Sequence, residues 1–330
     1  MIDTSDQHLR IVVFGGGTGL SVLLSGLKLF PLEVTTVISM SDNGSSTGVL
    51  RQELDIPAVG DVGKVILSMA NTDSELLELL QYRFKKQGSL YNHPLRNILL
   101  AALIDLRGNV TEATKYMCRI LNVRGTVLPL TEEEVDLVGR NGDRVFYGQV
   151  DVSRNIKEID TLEYDHPIEV EPEVLERIAE ADLVIFSPGS LYTSILPHLL
   201  ADQVVAALEK TSAPIMYVSN LVTQPGETDD YSVSDHVKVL NRYLRSRKVD
   251  VVLANTGELD SSVLENYEAS ENKLPVLLDT EEVAALGARI ISGDIADTSE
   301  GIIRHHSLKT GYIILSYLMD RQTEKRREQK

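Results

Sequence analysis

Several short stretches combine small, hydroxyl and acidic residues in places where a chain can hold phosphate. Gly15-Gly16-Gly17-Thr18-Gly19 falls between an apolar run, LRIVVF at 9–14, and Leu20, Leu23, Leu24 and Leu27, spaced as on one face of a helix. Glycines at a strand-to-helix turn allow close backbone approach, and the helix start offers unpaired N–H groups to an anion. Thr18 adds a hydroxyl. The loop fits neither common phosphate pattern: the dinucleotide fingerprint needs glycine where Leu20 stands, and the Gly-Lys-Ser/Thr of a Walker loop is absent. A purely structural tight turn is the alternative reading.

A second stretch, Ser41-Asp42-Asn43-Gly44-Ser45-Ser46-Thr47-Gly48, follows the β-branched run VTTVISM at 34–40. Its glycines and hydroxyls suit a backbone nest for an anion, and Asp42 can accept from a ribose or ligate Mg²⁺. Arg51, on the helix expected next, can face the same anion. A solvated turn with a helix cap is the alternative. Asp61, after Gly60, is a second metal-ligand candidate or simply an N-cap. Asn92-His93-Pro94-Leu95-Arg96-Asn97 precedes another apolar helix; His93 can cap or bind, and Asn97 can recognise a base or sugar.

Ser187-Pro188-Gly189-Ser190, continuing to Thr193, repeats the first geometry after the strand-like DLVIF. Ser219 to Thr228 forms a further polar stretch with Asn220, Thr223 and Thr228 as binding candidates and Glu227 as a possible general base. Several polar loops at strand ends point to one shared cleft. Other chemistry finds no support: HExxH, GxSxG and CxxC are absent, and His305-His306 has no spaced third ligand.

The elements that must position these loops alternate. Strands are expected at 9–14, 34–40, 182–186, 213–220 and 249–255, with VRGTVLPL, DRVFYGQVDV, PVLLD and ARIIS as further strand candidates. Helical patterns cover 62–70, 73–86, 95–107, 111–122, 174–181 and 235–247, and LKTGYIILSYLM reads as a closing helix. This predicts an α/β protein: a Rossmann-like, largely parallel sheet flanked by helices, with an inserted smaller subdomain. Residues 1–330 read as a single domain, 123–171 as the inserted subdomain and 321–330 as a flexible tail. In such sheets ligands bind at the carboxyl ends of the strands, near a topological switch point.

Composition narrows the partners. A net charge of −17 argues against nucleic acid, whose binders neutralise phosphates, while leaving room for a locally positive site. Trp is absent and aromatics are 5%, so base-stacking platforms are scarce. Cys118 is alone and forms no intrachain disulfide. A polar N-terminus and the lack of an apolar stretch of about 18 residues predict a cytoplasmic protein without membrane attachment.

GGGTGLSVLLSGLK, SDNGSSTGVLRQEL, GDVGK, NHPLRNILLAAL, FSPGSLYTSILPHLL and SNLVTQPGETDDYSVSDHV together resemble the gluconeogenesis factor family, the YvcK-type proteins of the CofD-like superfamily. The resemblance spans most of the chain. It implies a cytoplasmic bacterial protein needed for cell shape and for growth on gluconeogenic carbon sources, binding a UDP-sugar such as UDP-N-acetylglucosamine. It places Tyr267 and Arg304 at the ligand site. A superfamily relative, 2-phospho-L-lactate transferase, works with a divalent metal, so a metal-dependent group transferase is the alternative function, and an NAD-type dinucleotide the alternative ligand.

Three departures from the family pattern bear on chemistry. Asp42-Asn43-Gly44-Ser45 stands where Asp-Asp-Gly-Gly is usual, which removes one carboxylate and weakens a two-carboxylate metal site. Gly60-Asp61-Val62-Gly63-Lys64 replaces Gly-Asp-Ile-Arg-Asn, and Arg96 stands where a glycine is usual. Binding is therefore expected over turnover: a regulatory protein, with Gly15 to Gly19 and Ser187 to Ser190 around a diphosphate, and Asp42 and Asn43 on the ribose or a metal. Asn220, Thr223 and Thr228 would close the cleft. A cell-wall synthesis protein and a second copy of the chain are the expected protein partners.

Overall fold

The computed structural model describes residues 9–328. β1 (Leu9–Gly15) and β2 (Leu32–Ile38) pair in parallel, joined by α1 (Gly17–Leu27). Val13 and Phe14 are fully buried, as a strand covered by helices on both faces requires, and Leu20, Leu23, Leu24 and Leu27 make the inward face of α1. Five helices follow: α2 (Ser45–Leu54), α3 (Gly60–Met69), α4 (Ser74–Gln81), α5 (Leu95–Arg107) and α6 (Val110–Ile120). They lead to β3 (Thr126–Pro129), which pairs with the outer side of β2.

The chain then leaves the sheet. β4 (Leu137–Asn141), β5 (Arg144–Tyr147) and β6 (Thr161–Tyr164) make a small antiparallel sheet in the order β5-β4-β6. It returns through β7 (Leu183–Phe186), β8 (Ile215–Val218), β9 (Val251–Asn255) and β10 (Arg289–Gly293). The large sheet has seven strands in the order β10-β9-β8-β7-β1-β2-β3, every pair parallel. From β1 the chain steps outward to β3, then comes back and steps the other way from β7. The loops after β1 and β7 therefore diverge at the switch point, where such sheets open a crevice. A last pair, β11 (Ala296–Asp297) and β12 (Arg304–His305), is antiparallel and precedes the closing helix Ser307–Glu328.

The Rossmann-like α/β architecture is as the sequence predicts, but some boundaries differ. Thr126–Pro129, inside the 123–171 window, is the edge of the large sheet, and the small sheet occupies 137–164. DRVFYGQVDV is half strand: Gly148, at φ +82°, turns the chain into the helix Gln149–Arg154. PVLLD forms no strand of either sheet. It crosses the loop after β8 instead, with Val276 N–H donating to Leu221 O at 3.0 Å and Val233 N–H to Leu277 O at 2.9 Å. The helix expected at 73–86 ends at Gln81, where the chain turns so that Arg83 bridges Pro94. The closing helix runs on to Glu328, through the stretch read as a tail; residues 329–330 lie outside the described residues. No single helix among the described residues is long and apolar enough to cross a membrane.

Candidate functional site

At the switch point the two glycine loops interlock. A Cβ on Gly15 would lie 2.0 Å from Ser187 Oγ, and one on Gly19 would lie 2.3 Å from the Pro188 carbonyl oxygen, so only glycine lets these loops meet. Gly17 differs: its φ is +66° and nothing stands within 4 Å of where its Cβ would be, so it faces open space. Asn220, just beyond β8, locks the second loop from the other side. Its Oδ1 accepts from Gly189 N–H and its Nδ2 donates to Gly189 O, both at 2.9 Å.

These loops wall a hollow of about 210 Å³ that draws together Thr18, Gly19, Pro188, Gly189, Asn220, Thr223 and Arg304. Lys273, Ile303 and His305 also line it. A second hollow of about 520 Å³ shares Asn220 and Leu221 with the first and extends over the ends of β8 and β9 toward Asn255, Thr256 and Leu277. Together they run along the carboxyl ends of the strands. Arg304 reaches the first hollow from β12; Asp297 and Glu300 pair with it at 3.4 and 2.8 Å. Hydrogen bonds from Ser299, and then from Arg304, hold the Asp297 carboxyl down to about 2. Tyr267 stands behind this arm, its hydroxyl accepting from Ile303 N–H at 3.1 Å.

Across the glycine loop from this hollow lies a carboxylate pair. Asp61 Oδ2 accepts from Gly17 N–H at 3.1 Å, occupying a donor at the start of α1, and its Oδ1 pairs with Lys64 at 2.9 Å. Asp42 is half-buried and accepts from Gly44 N–H at 3.0 Å. Burial, and then the negative charge of Asp61, push the Asp42 carboxyl above its ordinary range. Gly16 faces this pair: a Cβ there would stand 2.8 Å from Asp61 Oδ2.

Other candidates are held by the protein itself. Arg51 is buried and does not turn to the cleft: Glu134 lies 3.0 Å from it and Asp136 3.2 Å. Asn43 grips the same segment, with Nδ2 donating to Asp136 and Oδ1 accepting from Val150 N–H. Both fasten the small sheet to the loop after β2. Ser45 opens α2, and its side chain lies outside the described residues. Ser187 is buried, and Thr228 is spent on Gln224 N–H. Thr223 Oγ1 accepts from Leu274 N–H at 3.0 Å while lining the hollow.

Ser190 caps a single π-helical turn at Leu191–Ile195 and donates to Glu227 at 2.7 Å. Glu227, the possible general base, is buried and also accepts from Tyr192 N–H at 2.8 Å; it caps this turn from within the core. Burial raises its carboxyl. Lys273 and His305 carry no sequence signal for this place: Lys273 sits in no motif, and His305 is half of a histidine pair with no spaced third ligand.

A doubly wound parallel sheet with two interlocked glycine loops at its switch point defines a Rossmann-like α/β protein. The chain belongs to the family of 2-phospho-L-lactate transferase CofD, whose model matches residues 11–296. A protein of Thermotoga maritima is 43% identical over 312 residues, covering 93% of this chain and 98% of that one. The gluconeogenesis factor of Bacillus subtilis is 38% identical over 319 residues, covering 95% and 99%. The crystal structure of protein BH3568 from Bacillus halodurans superposes with a TM-score of 0.89 at 36% identity, covering 94% of this chain and all of that one.

Proposed function

We propose that the cleft binds a nucleotide sugar, UDP-N-acetylglucosamine in the first instance, and that the chain acts as a cytoplasmic regulator. In this role it would link gluconeogenic carbon metabolism to cell-wall precursor supply and cell shape, through contact with a cell-wall synthesis protein. One observation carries the binding reading: Thr18, Gly19, Pro188, Gly189, Asn220 and Arg304 converge on one hollow at the switch point. Backbone N–H groups, a hydroxyl and a guanidinium are the donors a diphosphate takes, and the adjoining 520 Å³ hollow has room for a base or sugar.

Asp42 and Asp61 fit a Mg²⁺ ion that draws its remaining oxygens from phosphate and water. The observation behind this is that the negative charge of Asp61 raises the Asp42 carboxyl by more than the nearby Lys64 lowers it, a balance that a cation would reverse. Bound there, the ion would neutralise both carboxylates beside the glycine loop and help hold a phosphate. The same pair favours the second reading, a metal-dependent group transferase of the kind the family description names.

The test is calorimetric titration with UDP-N-acetylglucosamine, UDP, GDP and NAD, each with and without Mg²⁺, beside an assay for group transfer. Tight UDP-sugar binding without product supports the regulator. Preference for NAD, or Mg²⁺-dependent product, overturns it.

A further inference from the structure

The cleft lies at the carboxyl ends of the strands, and the amino ends carry a further hollow, of about 560 Å³. Its floor is the entry to three strands: Pro214 precedes β8, Val251 opens β9 and Arg289 opens β10. The length of β8, about 13 Å at the rise of a parallel strand, separates it from the loops of the cleft. Its rim comes from the end of the helix Asp202–Lys210 and from the closing helix, which brings Tyr317 and Arg321.

Three arginines meet there, in a chain whose net charge is −17. Arg247 pairs with Asp250 at 3.2 Å and donates to Ala213 O at 2.8 Å. Asp250 is shared, since it also accepts from Ile215 N–H at 2.7 Å. Arg321 donates to a backbone carbonyl, Ser212 O, at 3.4 Å, and no carboxylate among the described residues pairs with it. Arg289 is exposed, and its guanidinium has neither an ion pair nor a hydrogen bond among the described residues. The other carboxylate of the hollow, Glu209, accepts from Ser246. An arginine kept for structure is filled by its own carboxylates, as Arg51 is by Glu134 and Asp136.

The inner sides of these guanidiniums are poorly served as well. Nε of Arg247 and Nε of Arg321 are buried with no hydrogen-bond partner. Charges held partly out of water feel a neighbouring anion more strongly than a hydrated surface arginine does. Tyr317 shows that two of the three stand close together. Burial raises its hydroxyl above the ordinary range, and the positive charges of Arg321 and Arg289 both pull it down. Thr211 and Ser212 add hydroxyls to the same rim. One guanidinium fork suffices for a carboxylate, whereas several forks with hydroxyls suit the tetrahedral oxygens of phosphate.

We propose that this hollow is a second ligand site, in which Arg247, Arg289 and Arg321 bind the phosphoryl group of a small molecule at the amino ends of the strands. This goes beyond the nucleotide-sugar reading and does not depend on it. Orthophosphate is the probe, titrated by calorimetry with chloride holding the ionic strength constant. Wild type binds it, and Arg289→Met and Arg321→Met each weaken binding about tenfold or more, as loss of a charge-assisted contact implies. Arg289 makes no contact that the fold would miss, so Arg289→Met melts as wild type does without phosphate. It decides the question alone should Arg321→Met fail to fold. Gly17→Val, altered at the opposite end of the sheet, keeps its orthophosphate affinity within about twofold.

Glycerol 3-phosphate identifies the source of the group. Binding tighter than that of orthophosphate, and lost again in Arg289→Met, assigns an organic phosphate; equal or weaker binding assigns the free ion, and either supports the site. A wild type that binds no orthophosphate overturns it, as does equal affinity in wild type and Arg289→Met. Phosphate affinity lost in Gly17→Val and kept in Arg289→Met would place the anion in the cleft, and also overturns it. UDP-N-acetylglucosamine titrated into the same samples tests the proposed function separately: failure to bind wild type counts against that reading alone.

Discussion

The carboxamide of Asn220 closes on the backbone of Gly189, taking its N–H and meeting its carbonyl, both at 2.9 Å. One side chain at the end of β8 thus holds the loop after β7 in the shape that accepts Gly19 against Pro188. Asn220→Ala leaves a buried donor and acceptor to find water, and is expected to cost about 2 kcal/mol of stability. Ligand affinity should fall further than a uniform loss of stability explains, because the loop is itself a wall of the hollow. Urea unfolding and calorimetric titration of the same variant separate the two effects; unchanged binding would show that the loop keeps its shape without this clamp.

Gly17 should be needed for both conformation and access. Gly17→Val places a β-branched residue at φ +66°, a region that costs about 1–2 kcal/mol for side chains with a Cβ, and points it into the space before the loop. Gly142, at φ +56° in the turn between β4 and β5 and equally open, gives a reference with strain and no cleft. Gly142→Val should lose similar stability and bind normally, whereas Gly17→Val should lose binding altogether. Equal binding by both variants would place the ligand elsewhere.

Arg51 marks how far the sequence was legible. Strand, glycine run and leucine spacing sufficed for the first loop and for the parallel sheet, since those signals are local. Nothing local distinguishes an arginine awaiting phosphate from one whose carboxylates arrive 83 and 85 residues later. Asn43 is engaged by the same segment for the same reason. The π-turn at Leu191–Ile195 has no periodic signature, and Glu227 looks like a base until its buried contacts with Ser190 and Tyr192 are seen. PVLLD has a strand's composition, but its backbone partners lie in a loop.

The corollary concerns the small sheet. Arg51→Ala strands Asp136 and Glu134 beside a buried gap, and loss of one member of such a cluster typically costs about 3–5 kcal/mol. Because Asp136 is 20% and Glu134 46% exposed, the lower end of that range is expected. Protease cutting between β3 and β7 should accelerate, while calorimetry at low temperature finds ligand affinity unchanged. A large affinity loss in folded Arg51→Ala would return Arg51 to the cleft.

Acid should destabilise the protein through two buried histidines. Burial pushes both His198 and His305 down to about 4, from an ordinary value of 6.5. Between those values the unfolded chain binds protons that the folded one refuses. The stability they confer is therefore whole above pH 6.5 and is lost as pH falls toward 4, each histidine contributing at most about 3 kcal/mol. His305 Nε2 meets the Ser219 carbonyl at 3.0 Å, next to Asn220, so ligand affinity should weaken over the same window. Urea unfolding across that range should show a flatter pH slope in His198→Gln and His305→Gln; parallel slopes would assign the acid sensitivity to other groups.

Asp42 separates the two functional readings. Its carboxyl is raised by burial and by Asp61, so the folded protein takes up a proton there more readily than the unfolded chain does. The sign is opposite to that of the histidines: above its folded pKa the Asp42 charge lowers stability, and that cost disappears as pH falls through it. Asp42→Asn keeps an oxygen to accept from Gly44 N–H while removing the charge. Without ligand it should melt at or above wild type at pH 8, with the difference shrinking in acid. Mg²⁺ should raise the wild-type melting temperature and leave the variant's unchanged, since Asp61 alone, already paired with Lys64, holds the ion weakly. If the chain is a regulator, UDP-sugar affinity measured without Mg²⁺ stays close to wild type in Asp42→Asn, because the hollow around Thr18, Gly189 and Arg304 remains intact. Mg²⁺-dependent product formation in wild type that vanishes in Asp42→Asn would instead make this carboxylate pair the centre of a transferase.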